Sequence, residues 1–264
     1  MNSLYTPWHK SAGLSLVELM VALAISLFML AALVQIMAGS TQTFRTNDGL
    51  SRIQEGGRYA IEIIGRQIRS AGYHSHNVSL GLGIDLDDWP LNGAPAGSLA
   101  IEGADGADGA PDSLTIRYFV ASDCAASNCV PAPVTLNDAS VTPDTWIAVT
   151  LSVDANRSLI ADVRDQSNNQ IHQPANANGL PLVDGVSDMQ LTYGINQDGK
   201  LRYATATTIA AEGSWQDVIS VRVNLVMDSV EVVSGSDPSL ADSNGLLQRP
   251  YSATFTVRNR VQGA

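Results

Sequence analysis

The amino-acid sequence predicts an α+β protein: one long amino-terminal helix, membrane-spanning in its first half and amphipathic in its second, packed on an antiparallel β-rich head. Three observations carry that expectation. Leu19 to Ser40 holds no charged residue, enough chain to cross a hydrocarbon layer of ~30 Å at ~1.5 Å per residue. From Leu50 to Ala71 apolar residues return at intervals near three and four, the period of a helix with one buried face. After Gly72 that period gives way to the alternation of half-buried strands.

The 264 residues, 45% hydrophobic and 16% charged, suffice for a real core and for one or two domains. The formal net charge is -11, and Lys10 and Lys200 are the only lysines among 15 basic residues. Such a chain lacks a surface for tracking phosphates, so direct nucleic-acid binding is not expected.

The first segment, "MNSLYTPWHKSAG" over residues 1–13, carries Lys10 and His9 and no acid. The positive-inside tendency keeps it cytoplasmic and sends the remainder outward. The apolar run that follows exceeds the roughly 7 to 15 residues of a secretory signal peptide, and the processing position, Gly13, precedes the run. One carboxylate, Glu18, stands at the front of that run. An ionised acid at membrane depth costs about 2.5–3.5 kcal/mol on insertion scales, and such residues usually have a partner or a function. The competing reading, a side chain that reaches the headgroups from the cytoplasmic end, stays open from these residues alone.

The helix continues past Gly39 with one apolar face: Leu50, Ile53, Gly57, Ala60, Ile61, Ile64, Ile68 and Ala71. On the other face Arg58, Glu62 and Arg66 follow at i, i+4, i+8, a spacing that supports a helix by about 0.2–0.5 kcal/mol per pair. No proline occurs between Pro7 and Pro90, so the helix is expected from Leu14 to about Ala71, roughly 85 Å. Gly49, Gly56, Gly57 and Gly65 weaken it, and Gly72 suits a left-handed C-cap.

Strands are expected in "SLTIRYFVAS", "DTWIAVTLSVD", "MQLTYGI", "DVISVRVNLVMDS" and "YSATFTVRNRV". Their inward sets include Leu114, Ile116 and Tyr118; Ile147, Val149 and Leu151; Met189, Leu191 and Tyr193; Ile219 through Met227 at every second position; and Tyr251, Ala253 and Phe255. Between them lie long stretches rich in Gly, Asp, Asn and Ser, including residues 83–113, which read as loops of the contact-making kind.

Cys124 and Cys129 in "CAASNC" suit a local disulfide in an oxidising compartment, with a pair of free buried thiols as the alternative. No metal site is expected. The cysteines have no second ligand pair, His74 and His76 have no third ligand nearby, and neither Asp85–Asp88 nor Asn196–Lys200 has the spacing of a calcium loop. Asn77 and Asn156 match the short glycosylation pattern. No nucleophile elbow, phosphate loop or zinc-protease motif occurs, so neither catalytic residues nor a cofactor are expected.

"G-L-S-L-V-E-L-M-V-A", Gly13 to Ala22, resembles the type III signal of type IV pilins. In that family a dedicated peptidase cuts after the glycine and methylates the new amino terminus, and the fifth mature residue is a glutamate. Counted from Leu14, Glu18 is the fifth. The resemblance implies a leader of residues 1–13, a methylated Leu14 in place of the usual phenylalanine, and a charge pair between Glu18 and the free amine of an adjacent subunit. It further implies a membrane and filament-core helix over 14–39, an amphipathic helix over 40–72 and an extracytoplasmic head over 73–264.

"IQEGGRYAIEIIGRQIRSAGY", "LVDGVSDMQLTYGINQDG", "WQDVISVRVNLVMDS" and "FTVRNRV" together resemble the PilW-type minor pilins, which are similar in turn to the J-type pseudopilin of type II secretion. A low-copy subunit is implied, joining other minor pilins in a complex that primes assembly and sits at the pilus tip. Twitching motility, adhesion and DNA uptake would depend on it. The implied partners are other minor pilins, the major pilin, the prepilin peptidase and methyltransferase, and the inner-membrane assembly platform. A single-pass inner-membrane protein with a periplasmic head is the implied precursor. A type II secretion pseudopilin and a tethered adhesin that never polymerises remain the alternatives.

Overall fold

The structure, a computed structural model, describes residues 15–73, 99–120, 145–165, 167–171, 179–197, 199–229 and 245–258. The chain forms two compact units, Met1–Asn47 and Asp48–Ala264, and the boundary falls inside a helix, α1, that runs from Leu16 to Ser70. The fold is α+β, as the sequence predicts.

Within the second unit α1 ends where expected. Gly72 takes a left-handed φ of 69°, which costs glycine nothing. Its N–H donates to the Arg117 carbonyl (2.8 Å), and the Phe119 N–H donates to the Tyr73 carbonyl (2.9 Å), so the helix end is tied to a strand. On its outer face Arg66 pairs with Glu62 at 2.6 Å, the i, i+4 contact the spacing predicts.

The head contains two antiparallel sheets. One has the order β1-β2-β3-β4-β5, built from Ile101–Ala104, Ser113–Val120, Thr145–Val153, Ser158–Asp165 and Leu180–Asp184. The other has the order β7-β6-β8-β9, with β6 Val186–Gln197, β7 Lys200–Ala204, β8 Val218–Asp228 and β9 Gln248–Thr256. A short helix, α2 (Ala206–Glu212), follows β7. The inward sets of β2, β3 and β6 predicted above are buried and share one core with Ile53, Ala60, Ile64 and Ile68 of α1.

Two expectations are corrected. In β8 the core position is Val218, and Ile219 is only half-buried, because the β6–β8 register shifts between Gly194 and Ile195. A bulge of this kind changes which residues face inward. Inside the stretch 83–113 read as loop, Ile101–Ala104 pairs with β2 as an edge strand.

Two buried carboxylates join the sheets. Before β2, the Asp112 N–H donates to the Met189 carbonyl (2.7 Å), while its carboxylate accepts the Leu191 N–H (2.7 Å) and the Gly106 N–H (2.8 Å). At the end of β8, Asp228 is 3.0 Å from Arg157 of the β3–β4 turn and accepts from Ser187 Oγ (2.8 Å) and Gln248 Nε2 (3.0 Å). Each buried anion is thereby satisfied, which burial demands.

The helix glycines have a packing role that their propensity hides. A Cβ on Gly57 would overlap the Tyr251 ring, and one on Gly65 would overlap Phe255. Eight residues of helix advance ~12 Å and four of strand ~13 Å, so two glycines meet two aromatic rings of β9 in register. The Tyr251 hydroxyl donates to the Ile53 carbonyl (3.2 Å), and Arg69 lies 5.4 Å from the Phe255 ring centroid. Gly65→Ala should therefore destabilise the protein by about 1–2 kcal/mol, overpacking outweighing the gain in helix propensity. Gly56→Ala, whose Cβ meets the flexible end of Met227 at 3.2 Å and Val183 at an ordinary 3.8 Å, should be near neutral. Urea unfolding of the detergent-solubilised variants checks both.

The loop after β1 is clasped to α2. Asp105 accepts the Ala206 and Thr207 N–H groups, each at 2.9 Å. Burial alone would raise its carboxyl, but hydrogen bonds from Thr207, Ala206 and Thr205 outweigh burial and hold it below the ordinary carboxylate value. A folded pKa below the unfolded one stabilises fully above the unfolded value of ~3.9 and is lost as pH falls through the folded value. The stability gap between wild type and Asp105→Asn should hold constant above about pH 5 and shrink below about pH 4 in pH-resolved unfolding curves.

Candidate functional site

The first half of α1 is a helix whose backbone is self-satisfied and whose described side chains have nothing to pack on within their own unit. Every described residue from Ser15 to Ser40 is exposed, with Leu16 at 75% and Phe28 at 81% of full exposure. Leaving one such side chain in water instead of burying it forgoes about 1.5–3 kcal/mol, so a run of them is a surface waiting for an apolar environment. Leu16–Ser70 is the helix among the described residues long and apolar enough to cross a membrane. The hydroxyls within and just past the run donate back into the helix: Ser26 Oγ to the Ala22 carbonyl (2.7 Å), Thr41 Oγ1 to Met37 (2.9 Å) and Thr43 Oγ1 to Gly39 (3.0 Å). Those bonds satisfy the three hydroxyl donors within the helix itself, as a lipid or protein surrounding requires.

Glu18 lies in the first turn of this helix, where a carboxylate is favoured by the positive end of the helix dipole. Its own N–H donates to Ser15 Oγ at 3.2 Å, and the Leu19 N–H donates to the Ser15 carbonyl at 3.2 Å. Ser15 is thus the N-cap. Sequence reasoning passed over Ser15, although the signal was present: "SLVE" is the S-x-x-E spacing of a capping box.

Of the other predicted positions, Gly13, Leu14, Cys124, Cys129, His74, His76, Asn77 and Asp85–Asp88 lie outside the described residues. Asn196 is the last residue but one of β6 and Lys200 the first of its partner β7, with Gly199 left-handed before Lys200 (φ 74°), which is turn geometry. Asn156 is exposed in the β3–β4 turn, its side chain donating to Asp154 (3.2 Å). Among the described residues no three of His, Cys, Asp and Glu stand where they could hold a metal ion. The Tyr118 and Tyr193 hydroxyls are buried, and burial pushes both well above the ordinary tyrosine value, so they stay neutral.

An exposed apolar helix with an acid in its first turn, continuing into an amphipathic half packed on antiparallel sheets, defines a type IV pilin-like protein. Residues 8–34 match the prokaryotic N-terminal methylation motif, and residues 137–259 match the family described as Type IV Pilus-assembly protein W. The chain is thus similar to that family over its carboxy-terminal half and to type IV pilins at its amino-terminal segment. Among solved structures it is similar to the type IV-like pilin TTHA1219 from Thermus thermophilus, at 13% identity and a TM-score of 0.43 over 81% of this chain and 98% of that one. No curated protein matches it significantly. The methylation motif and the apolar helix indicate membrane anchoring and association with a pilus.

Proposed function

We propose that this chain is a low-abundance minor pilin of a type IV pilus that joins other minor pilins in the complex priming assembly at the tip. The observation that carries the reading is the exposed apolar run of α1 with its lone acid, Glu18, in the first turn. The leader, residues 1–13, is removed after Gly13, and Leu14 becomes the methylated amino terminus. The precursor sits in the inner membrane with its leader cytoplasmic and its head periplasmic, where Cys124 and Cys129 close a disulfide. The prepilin peptidase and methyltransferase act on it first, followed by the assembly platform, other minor pilins and the major pilin. Its role is structural, with no catalysis and no cofactor.

Assembly moves the helix from lipid to a core of packed helices, both apolar, so helix packing supplies contact energy and little positional specificity. Glu18 supplies the specificity. A carboxylate in that core is tolerated when the amine of a neighbouring subunit's first residue neutralises it, and removing one member of such a buried pair typically costs about 3–5 kcal/mol. Polymerisation through the head is disfavoured by the sheet edges. Pro181 sits in edge strand β5 and Pro250 in β9, β7 carries Lys200 and Arg202, and β1 has only 4 residues.

Glu18→Ala should leave the head folded and the protein in the membrane while reducing pilus number or incorporation at least tenfold. Counts of surface pili and pull-down of partner pilins in a clean deletion background measure this, and full piliation by the variant would refute the role. Gly13→Val should leave the leader attached. Intact mass of the purified variant reads that directly, and normal processing would rule out the cut site.

A further inference from the structure

The edges of the head are guarded, but one sheet face is open. On the side of the four-stranded sheet away from the core, Gly194 of β6 lies between Tyr203 of β7 and Ser220 of β8. A Cβ on Gly194 would overlap Ser220 Oγ and stand 3.2 Å from the Tyr203 ring and 3.4 Å from Leu201. The missing side chain lets Tyr203 and Leu201 cover the gap, and the Tyr203 ring centroid comes within 4.3 Å of the Arg222 guanidinium carbon on β8. Leu201 and Tyr203 nonetheless stay 57% and 40% exposed, and Arg222 is exposed beside them.

Four arginines of the head are neutralised: Arg117, Arg157, Arg164 and Arg202 pair with Glu102, Asp228, Asp162 and Glu212. Arg222 is restrained without being neutralised. Among the described residues no carboxylate lies within ion-pair distance of it, and its cross-strand neighbours are Thr192 and Thr254. Asp188, on the same face, is four residues away along β6 and accepts from Gln190 Nε2 (2.9 Å). We infer that this face docks a carboxylate-bearing segment on the head of a neighbouring pilin, with Arg222 taking the carboxylate and Tyr203 and Leu201 an apolar side chain next to it. The inference rests on the minor-pilin reading above and adds to it the surface on which a partner's head sits.

Charge complementarity selects that occupant. Residues 73–264 carry 22 acidic side chains against 9 basic ones, so a partner of like charge is repelled over most of the head and approaches best where a free cation stands among uncharged neighbours. A guanidinium matches a carboxylate with two parallel hydrogen bonds, and one already stacked on a ring loses less freedom when it binds. Arg and Tyr are also the residue types that dominate the energetics of protein interfaces. A lone cation does not suit an anionic bilayer or a nucleic-acid backbone, which are bound by clusters of them. Two copies of this chain paired about Arg222 by two-fold symmetry would set one guanidinium against the other. The contact is therefore heterologous, the kind that extends an assembly instead of closing a dimer.

The test is recovery of partner pilins by the full-length, tagged chain from detergent-solubilised membranes of its native host, each captured pilin identified by peptide mass. Arg222→Glu should lower that recovery about tenfold or more. Arg222→Lys, which keeps the charge and loses the fork, should lower it less. Arg258→Glu makes the same charge change at another exposed arginine and should leave recovery within about twofold of wild type. In the otherwise wild-type chain, photoreactive p-benzoylphenylalanine in place of Thr254 should cross-link to the head of another pilin at a stretch containing Asp or Glu. Undiminished recovery with Arg222→Glu, an equal loss with Arg258→Glu, or a cross-link to lipid or to a second copy of this chain overturns the inference. A wild-type chain that captures no pilin overturns the minor-pilin reading and this inference with it, and is told apart from the other failures because no variant is needed to see it.

Discussion

The fold depends on an imbalance it cannot resolve alone. α1 carries an uncharged, largely apolar surface from Leu19 to about Met37, and each of its large apolar side chains is at least half exposed. Apolar surface left in water costs about 25 cal/mol per Å², so this helix must be covered by lipid, by other helices, or by both in succession. On the proposed reading, the acid at its front turns a nonspecific hydrophobic surface into one with a preferred register. Lipid and helix core offer nearly the same apolar environment, but only a partner with a positive charge at the matching depth compensates Glu18.

Under the proposed function, the head is arranged to leave that surface in charge of assembly. Its two sheets close on a shared core, and where they need polar fastening they use Asp112 and Asp228, each engaged by one donor from across the sheets, Leu191 N–H and Arg157, and by further donors nearby. β9 is seated on α1 through aromatic rings over glycines, an arrangement that spends helix propensity on close approach. The free edges are interrupted by proline, shortened or charged. A head of this kind resists strand-to-strand polymerisation and, under the proposed function, leaves the amino-terminal helix to recruit partners.

Much of this was legible in the sequence, for reasons that differ by element. The long helix was readable because its two halves have unmistakable periods and no internal proline, and its end because Gly72 is suited to the φ it adopts. β2, β3, β6 and β8 were readable because each alternates over many residues. β4 was not: Ser158 to Ala161 are buried on both faces, so alternation is absent. β5 carries a proline and β1 only four residues, which erases the strand signal. Ile219 was misplaced because a bulge cannot be seen in one strand's own pattern. The glycines of α1 looked like weaknesses, since what they accommodate, Tyr251 and Phe255, lies nearly two hundred residues away in the chain. At the candidate site Glu18 stood out by its isolation, while Ser15 passed unnoticed because a serine before a helix is ordinary until its partner three residues on is taken with it.

The central claim is a contact between Glu18 and the amino terminus of another subunit, and zero-length carbodiimide coupling of the assembled native complex tests it most directly. The account predicts a cross-linked peptide joining the Glu18 carboxyl to the first residue of a different pilin chain. An assembled complex in which Glu18 couples to no other chain's amino terminus, while other carboxylates do, would contradict it.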